Sequence, residues 1–253
     1  MFDKSSQTLE LSIVRPAGVS STREPQLFTR LSSIGSKALV GVTGLGLTAF
    51  VLVHMLGNLQ IYMGQNALNE YARKLKEMPI LLWGARLGLL AMFLTHVTLA
   101  LWLRKLDRAA RPVRYIHSGT VQAGIASRTM IWSGLVILSF VVYHLLHFTL
   151  GLTHPEHHRL TDAQGRHDVY SMVVLGFQQP VVSISYVVAT VLLALHLSHG
   201  VSSAFRSLGL SSPRWMPALR LAGFTVAFVV SAGNISIPVA VMLGLIGLPG
   251  GGN

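Results

Sequence analysis

Four histidines of this chain stand where histidine is costly. His54, His96, His144 and His196 each fall within an apolar stretch long enough to cross a membrane. An ionisable ring at that depth is expensive, and as a rule it has a function. Imidazole nitrogen can ligate a transition metal, relay a proton or hydrogen-bond a polar ligand. A single such ring is ordinarily a core residue with a satisfied hydrogen bond. Four rings on four separate stretches ask for one common account.

The stretches that must position them are residues 34–56, 80–103, 129–150, 181–205 and 219–246. Each is near the ~20 residues that a spanning helix needs. Within lipid every backbone polar group must be satisfied internally, so helices are expected rather than open strands. Gly233 and Pro238 predict a bend in the fifth helix. Gly41, Gly44 and Gly46 in the first would let another helix or a flat cofactor approach its backbone.

Lys and Arg set the expected orientation. Fourteen lie on one side: Lys4, Arg15, Arg23, Arg30, Lys37, Arg104, Lys105, Arg108, Arg111, Arg114, Arg128, Arg206, Arg214 and Arg220. Five lie on the other: Arg73, Lys74, Lys76, Arg159 and Arg166. This predicts a cytoplasmic N-terminus, an external C-terminus and an external segment 151–179. At a rise of ~1.5 Å per residue, His54 and His144 lie roughly 25 and 24 Å from the basic edge, and His96 and His196 roughly 12 and 15 Å. Two layers result, each drawing one histidine from each of two helices. Two imidazoles facing across a flat macrocycle are what a b-type haem requires. Spacing leaves His147 and His199 as alternatives, because each shares a helix face with His144 or His196. A zinc site or a proton relay through the same rings is the main rival.

Composition agrees with a membrane protein. Charged residues make up 11% of the 253-residue chain, against about 25% in a soluble domain. The net charge of +11 is gathered in loops, which argues against nucleic acid as the partner. The chain has no Cys, which rules out disulfides, iron–sulfur clusters ligated by this chain and thioether-linked haem. No apolar segment with a cleavage site opens it, so no signal peptide is expected. Residues 1–31 read as a polar cytoplasmic segment, 32–246 as the membrane domain and 247–253 as a flexible tail.

Several runs together carry a family resemblance: "FVLVHMLGNLQIYMGQNALNEYARKLKEMPILLWGARLG", "THVTLALWLRKLDRAARPVRY", "YHLLHFTLG", "DVYSMVVLGFQQP" and "LHLSHGVSSAF". They resemble the cytochrome b558 membrane-anchor subunit of succinate dehydrogenases and fumarate reductases, of the single-chain, five-helix, di-haem type. The resemblance extends from about Ser32 through the fifth helix. It implies an all-α, five-helix membrane bundle with haem b on His54 and His144 (outer) and on His96 and His196 (inner). It further implies a flavoprotein with covalent FAD and an iron–sulfur subunit as cytoplasmic partners, and electron exchange with a membrane quinone. Menaquinone is the quinone more often associated with this type. His147 and His199 match positions that are not ligands and would lie beside the haems.

Other polar groups follow from that frame. Arg30, Ser33, Ser36 and Lys37 gather at the cytoplasmic entry of the first helix, where they could donate to a quinone carbonyl or an inner-haem propionate. Helix capping and interfacial anchoring explain them as well. Arg86 could pair an outer-haem propionate, or snorkel to the interface. Asn58 and Gln60 could bond propionates, and Glu70 or Tyr71 could handle quinol protons. For Glu70, beside Arg73, a solvated loop is the favoured account. Residues 110–119 are basic and could dock the iron–sulfur partner or bind membrane lipid headgroups, although positive-inside bias alone produces such a run. His154, His157, His158 and His167 lie in a stretch without regular ligand spacing, expected to be an exposed loop. The rival functions are a cytochrome b anchor of another respiratory dehydrogenase, such as a hydrogenase, and a haem-free transporter.

Overall fold

A computed structural model describes residues 32–110 and 124–250. Arg30, the polar segment 1–31 and nearly all of the basic stretch 110–119 lie outside them. The described residues form helices and turns, with one isolated bridge between Thr161 and His167. Five helices are long and apolar enough to cross a membrane. They are α1 (Ser33–Asn58, prolonged by a 3-10 turn, Leu59–Met63), α3 (Pro79–Ala109), α5 (Met130–His144, prolonged by a π turn, Leu145–Thr149), α8 (Pro180–Ser207) and α9 (Met216–Met242). Shorter helices are α2 (Gln65–Lys76), α4 (Ile125–Arg128), α6 (Pro155–His158) and α7 (Val169–Gln178). Proline opens α3, α6, α8 and α9 within their first two positions, where its missing N–H is no loss.

The large apolar side chains on the bundle's outside are exposed, among them Ile80, Leu81, Val181, Leu221 and Phe228. In water this would be a liability, whereas in a bilayer it is the lipid-facing surface. Tryptophans lie toward the helix ends: Trp83 and Trp102 in α3, Trp132 at the start of α5 and Trp215 before α9, as interfacial rings do.

Helices α3 and α8 run antiparallel to α1, and α9 runs parallel to it. On α1, Gly46 faces the Met92 sulfur and Gly44 faces His96. Gly41 lies against the Ala204 carbonyl of α8, where a Cβ would stand 3.1 Å from the oxygen. At Gly223 of α9 a Cβ would stand 2.7 Å from the Ser198 carbonyl. The expected close approach at the first-helix glycines is therefore made by α8 and by α3, with His96 among the contacting side chains. Packing runs α3–α1–α8–α5, and α9 closes against α8 and α1. Helices α3 and α5 are not a packed pair.

One end of the bundle carries α2, α6 and α7, and is called the loop-rich end below. Its core joins Ile61, Leu68, Tyr170, Val174, Phe177, Tyr186 and Val241. The sequence reading treated the segment after the first helix and residues 151–179 as loops. Instead α2 is an amphipathic helix and α7 packs on α8 and α9. Buried Asn69 of α2 joins the two: its amide donates to Asp162 (3.0 Å) and Asp168 (2.9 Å), and its carbonyl accepts from the Tyr170 N–H (3.0 Å). Asp168 also caps α7 by accepting from the Ser171 N–H. The tail starts tied down, since the Gly247 carbonyl accepts from the Tyr170 hydroxyl. Pro238 lies inside α9, fully buried, and Gly233 rests against the Met55 side chain.

Candidate functional site

The four histidines occupy α1, α3, α5 and α8: His54 meets His144, while His96 docks on α1 and His196 on α5. Toward the loop-rich end, His54 of α1 and His144 of α5 face each other with ring centroids 5.8 Å apart and planes at 84°. Phe50 stacks on His54 at 5.4 Å and Phe140 on His144 at 6.0 Å. Two imidazoles on opposite faces of one iron stand ~6 Å apart, given metal–nitrogen bonds of about 2 Å. The spacing fits an axial pair, and both rings keep part of their surface open. Among the described residues no group of three or more His, Asp or Glu side chains could hold a metal ion. A zinc site needs three or four protein ligands, but a haem needs only two.

Deeper in the bundle, His96 Nδ1 lies 3.2 Å from the Val40 carbonyl and 3.2 Å from Thr43 Oγ1. A carbonyl only accepts, so Nδ1 carries the proton and Nε2 keeps its lone pair. The Thr43 hydroxyl donates to the Leu39 carbonyl (2.8 Å), which frees its oxygen to accept from the ring. Helix α5 repeats the device. His196 Nδ1 lies 3.2 Å from Ser133 Oγ, Ser133 donates to the Met130 carbonyl (3.0 Å), and His196 hydrogen-bonds that same carbonyl. Gly44 and Gly134, the residues after each hydroxyl, leave room for the imidazole edges, with a Cβ falling 3.1 and 3.5 Å from the respective Cε1 atoms.

A repeat therefore relates α1 to α5: carbonyl, hydroxyl, glycine and histidine recur as Val40, Thr43, Gly44, His54 and as Met130, Ser133, Gly134, His144. In both, the histidine follows the hydroxyl by 11 residues, or ~16 Å along the helix. Two histidine layers are thereby spaced equally on two helices. The sequence reading missed Thr43, Ser133 and Tyr186. The signal for the first two was the Thr-Gly and Ser-Gly pairs at one offset before His54 and His144.

His144 and His147 stand in different surroundings. His144 ends the α-helical part of α5 and faces His54. His147 falls in the π turn, is 3% exposed, and stacks on Tyr143 and Phe148. The Tyr186 hydroxyl lies between them, 3.3 Å from His144 Nδ1 and 3.1 Å from His147 Nδ1. Gly176 of α7 makes space for the His147 ring. His199 is half-buried in α8, a turn from His196.

The remaining candidates are scattered. Arg86 is exposed, with its guanidinium 5.1 Å over the Trp83 ring, the posture of an interfacial arginine. Tyr71 packs its hydroxyl against Gly57, one turn beyond His54. Asn58 and Gln60 are half-buried at the end of α1. Ser36 is buried near the opposite end, while Ser33 and Lys37 are exposed.

Glu70 is not in a solvated loop, contrary to the expectation. Arg73 and Arg166 both bond it (2.6 and 3.2 Å), and hydrogen bonding from Arg73, ahead of the nearby positive charge, holds its carboxyl at about 2. Arg73 also pairs with Glu77, and Arg166 with Asp162. The histidine-rich stretch is an exposed loop only in part: Pro155, Glu156, Arg159 and residues 163–165 are exposed, whereas Asp162, Asp168 and ring nitrogens of His154, His157 and His167 are buried. A cavity of about 310 Å³ lies here, lined by Asn69, Lys76, Arg166 and His167 among others. It is remote in sequence from the histidine layers, and its arginines are already paired. Comparison with protein-family models, with curated proteins and with solved structures gave no match.

Proposed function

We propose that this chain is the cytochrome b membrane anchor of a succinate:quinone oxidoreductase, holding one haem b between His54 and His144 and another between His96 and His196. The repeated dock on α1 and α5 carries the reading. It sets two imidazole layers at one spacing and fixes the inner pair with Nε2 available. Bound there, the haems would supply one-electron transfer without an open coordination site.

The protein's part is to orient the ligand rings. Val40, Thr43, Met130 and Ser133 hold the inner imidazoles by Nδ1. Such outer bonds fix the ring and raise its basicity as a ligand. Tyr186 does the same for His144. In this reading the flavoprotein and iron–sulfur partners lie on the cytoplasmic side of a bacterial inner membrane, and the charge bias supports a cytoplasmic N-terminus with the loop-rich end outside. Quinone, in this reading menaquinone, exchanges the electrons. Arg30, Ser33, Ser36 and Lys37 at one end and Tyr71 at the other are the candidate quinone contacts. Glu70, tied into ion pairs, is the weakest of the set.

A pyridine haemochrome assay with protein determination tests this. The wild type is expected to hold two b haems per chain, and His54→Ala and His96→Ala about one each. A folded wild type without haem sinks the proposal and leaves a transporter as the reading.

A further inference from the structure

Beyond His144, a file of titratable side chains runs to the surface of the loop-rich end. The Tyr186 hydroxyl bonds His147 Nδ1 at 3.1 Å. The His147 ring lies 5.3 Å from that of His154, and His154 lies 5.1 Å from His157 with the planes only 7° apart. His157 Nε2 reaches Glu156, 3.7 Å away and exposed. The Nδ1 atoms of His154 and His157 are buried and have no hydrogen-bond partner among the described residues. Buried polar atoms are almost always paired, and packing alone would be met by phenylalanine. Ring centroids about 5 Å apart leave nitrogens of neighbouring rings within reach of a single bridging water.

Local structure builds this file. Gly151 turns the chain with a positive φ of 63°, close against His158, and Pro155 starts α6 so that His154 and His157 stack. The neighbouring pair His158 and His167 is different, because the His167 Nε2–H is committed to the His158 carbonyl at 2.8 Å.

We propose that His147, His154 and His157 form a proton path between the outer histidine layer and the aqueous phase at the loop-rich end, with Glu156 at its mouth. Each imidazole takes a proton on one nitrogen and releases one from the other, so nothing is consumed. The Tyr186 hydroxyl extends the file inward by accepting one hydrogen bond while donating another, and it need not ionise. The path's use, delivering or removing quinone-linked protons, rests on the function proposed above. Its existence does not.

The test is hydrogen–deuterium exchange at the His147 ring N–H. It is read by solid-state NMR on full-length, ¹⁵N-histidine-labelled protein in lipid vesicles, with His147→Gln identifying the signal. The double variant His154→Phe/His157→Phe keeps the stacked rings but removes their nitrogens, and is expected to slow exchange about tenfold. His157→Phe alone should act in the same direction, and His158→Phe should leave the rate unchanged. A merely structural role would loosen the region and speed exchange. Unchanged or faster exchange in both His157 variants overturns the path. Haem content of the same samples separates the two proposals: slowed exchange without haem keeps the path and removes the cytochrome, and unchanged exchange with two haems does the reverse.

Discussion

Thr43 and Ser133 each give their hydroxyl proton to a carbonyl of their own helix and turn the oxygen toward an imidazole. Neither could ligate a metal in this arrangement, yet each settles which nitrogen of its histidine is free. Thr43→Val and Ser133→Ala are therefore expected to weaken inner-haem retention by roughly 10- to 100-fold, as losing an outer hydrogen bond to a ligand does. The Val40 and Met130 carbonyls remain as acceptors, so the lower end of that range is expected. The His54 and His144 layer should be unaffected. Spectroscopic titration of the variants with haemin is the check, and equal loss from both layers would show a general folding defect instead.

At the scale of elements, α2 is attached to α7 through one side chain. Asn69 makes two hydrogen bonds to carboxylates and one to a backbone N–H, all buried. Asn69→Leu keeps the volume, strands the Tyr170 N–H and takes one donor each from Asp162 and Asp168. Hydrogen bonds to charged groups contribute about 1.5–3 kcal/mol each, so a local loss of roughly 3 kcal/mol is expected after relaxation, or about a hundredfold faster amide exchange across residues 159–170. Helices α1, α3 and α5 should keep their protection. Spread of the effect through the whole bundle would mean that the loop-rich end is not a separate cooperative unit.

At the scale of the molecule, that end is sealed by ion pairs while the rest is held by apolar packing, so acid should act on the two differently. Hydrogen bonding from Arg73 lowers Glu70 from 4.5 to about 2. Burial alone would raise Asp162, but hydrogen bonds from Arg166, Asn69 and the backbone bring it from 3.8 to about 2. A carboxyl depressed in the folded state stabilises fully above its unfolded value and loses that contribution as pH falls through its folded value. The contribution of these carboxylates should thus be constant from neutral pH to about 5 and decline as pH drops from about 4.5 toward 2. Burial holds His167 below its ordinary value of 6.5, so a shallower loss begins as pH falls through that value. Melting curves in detergent over that range check this. A decline that is complete above about pH 5 would point to histidines, not these carboxylates.

How much of this could be read from the chain depends on the reach of each signal. The five spanning helices were legible because about 20 consecutive apolar residues are a local property that lipid alone demands. The approach of His54 to His144 was legible too, since helical rise converts sequence distance to a position along each helix. Helices α2 and α7 were not, because α2 is polar and is made a helix by packing and by Asn69, whose partners lie about a hundred positions away. Glu70 read as solvated for the same reason: Arg166 is distant in sequence and adjacent in space. The sequence by itself determined which residues form helices long and apolar enough to cross a membrane. Only the tertiary structure decided which way each ring faces, turning His144 toward His54 and His147 toward His154. One residue of rotation on a helix is worth 100°, and neighbouring helices set that angle.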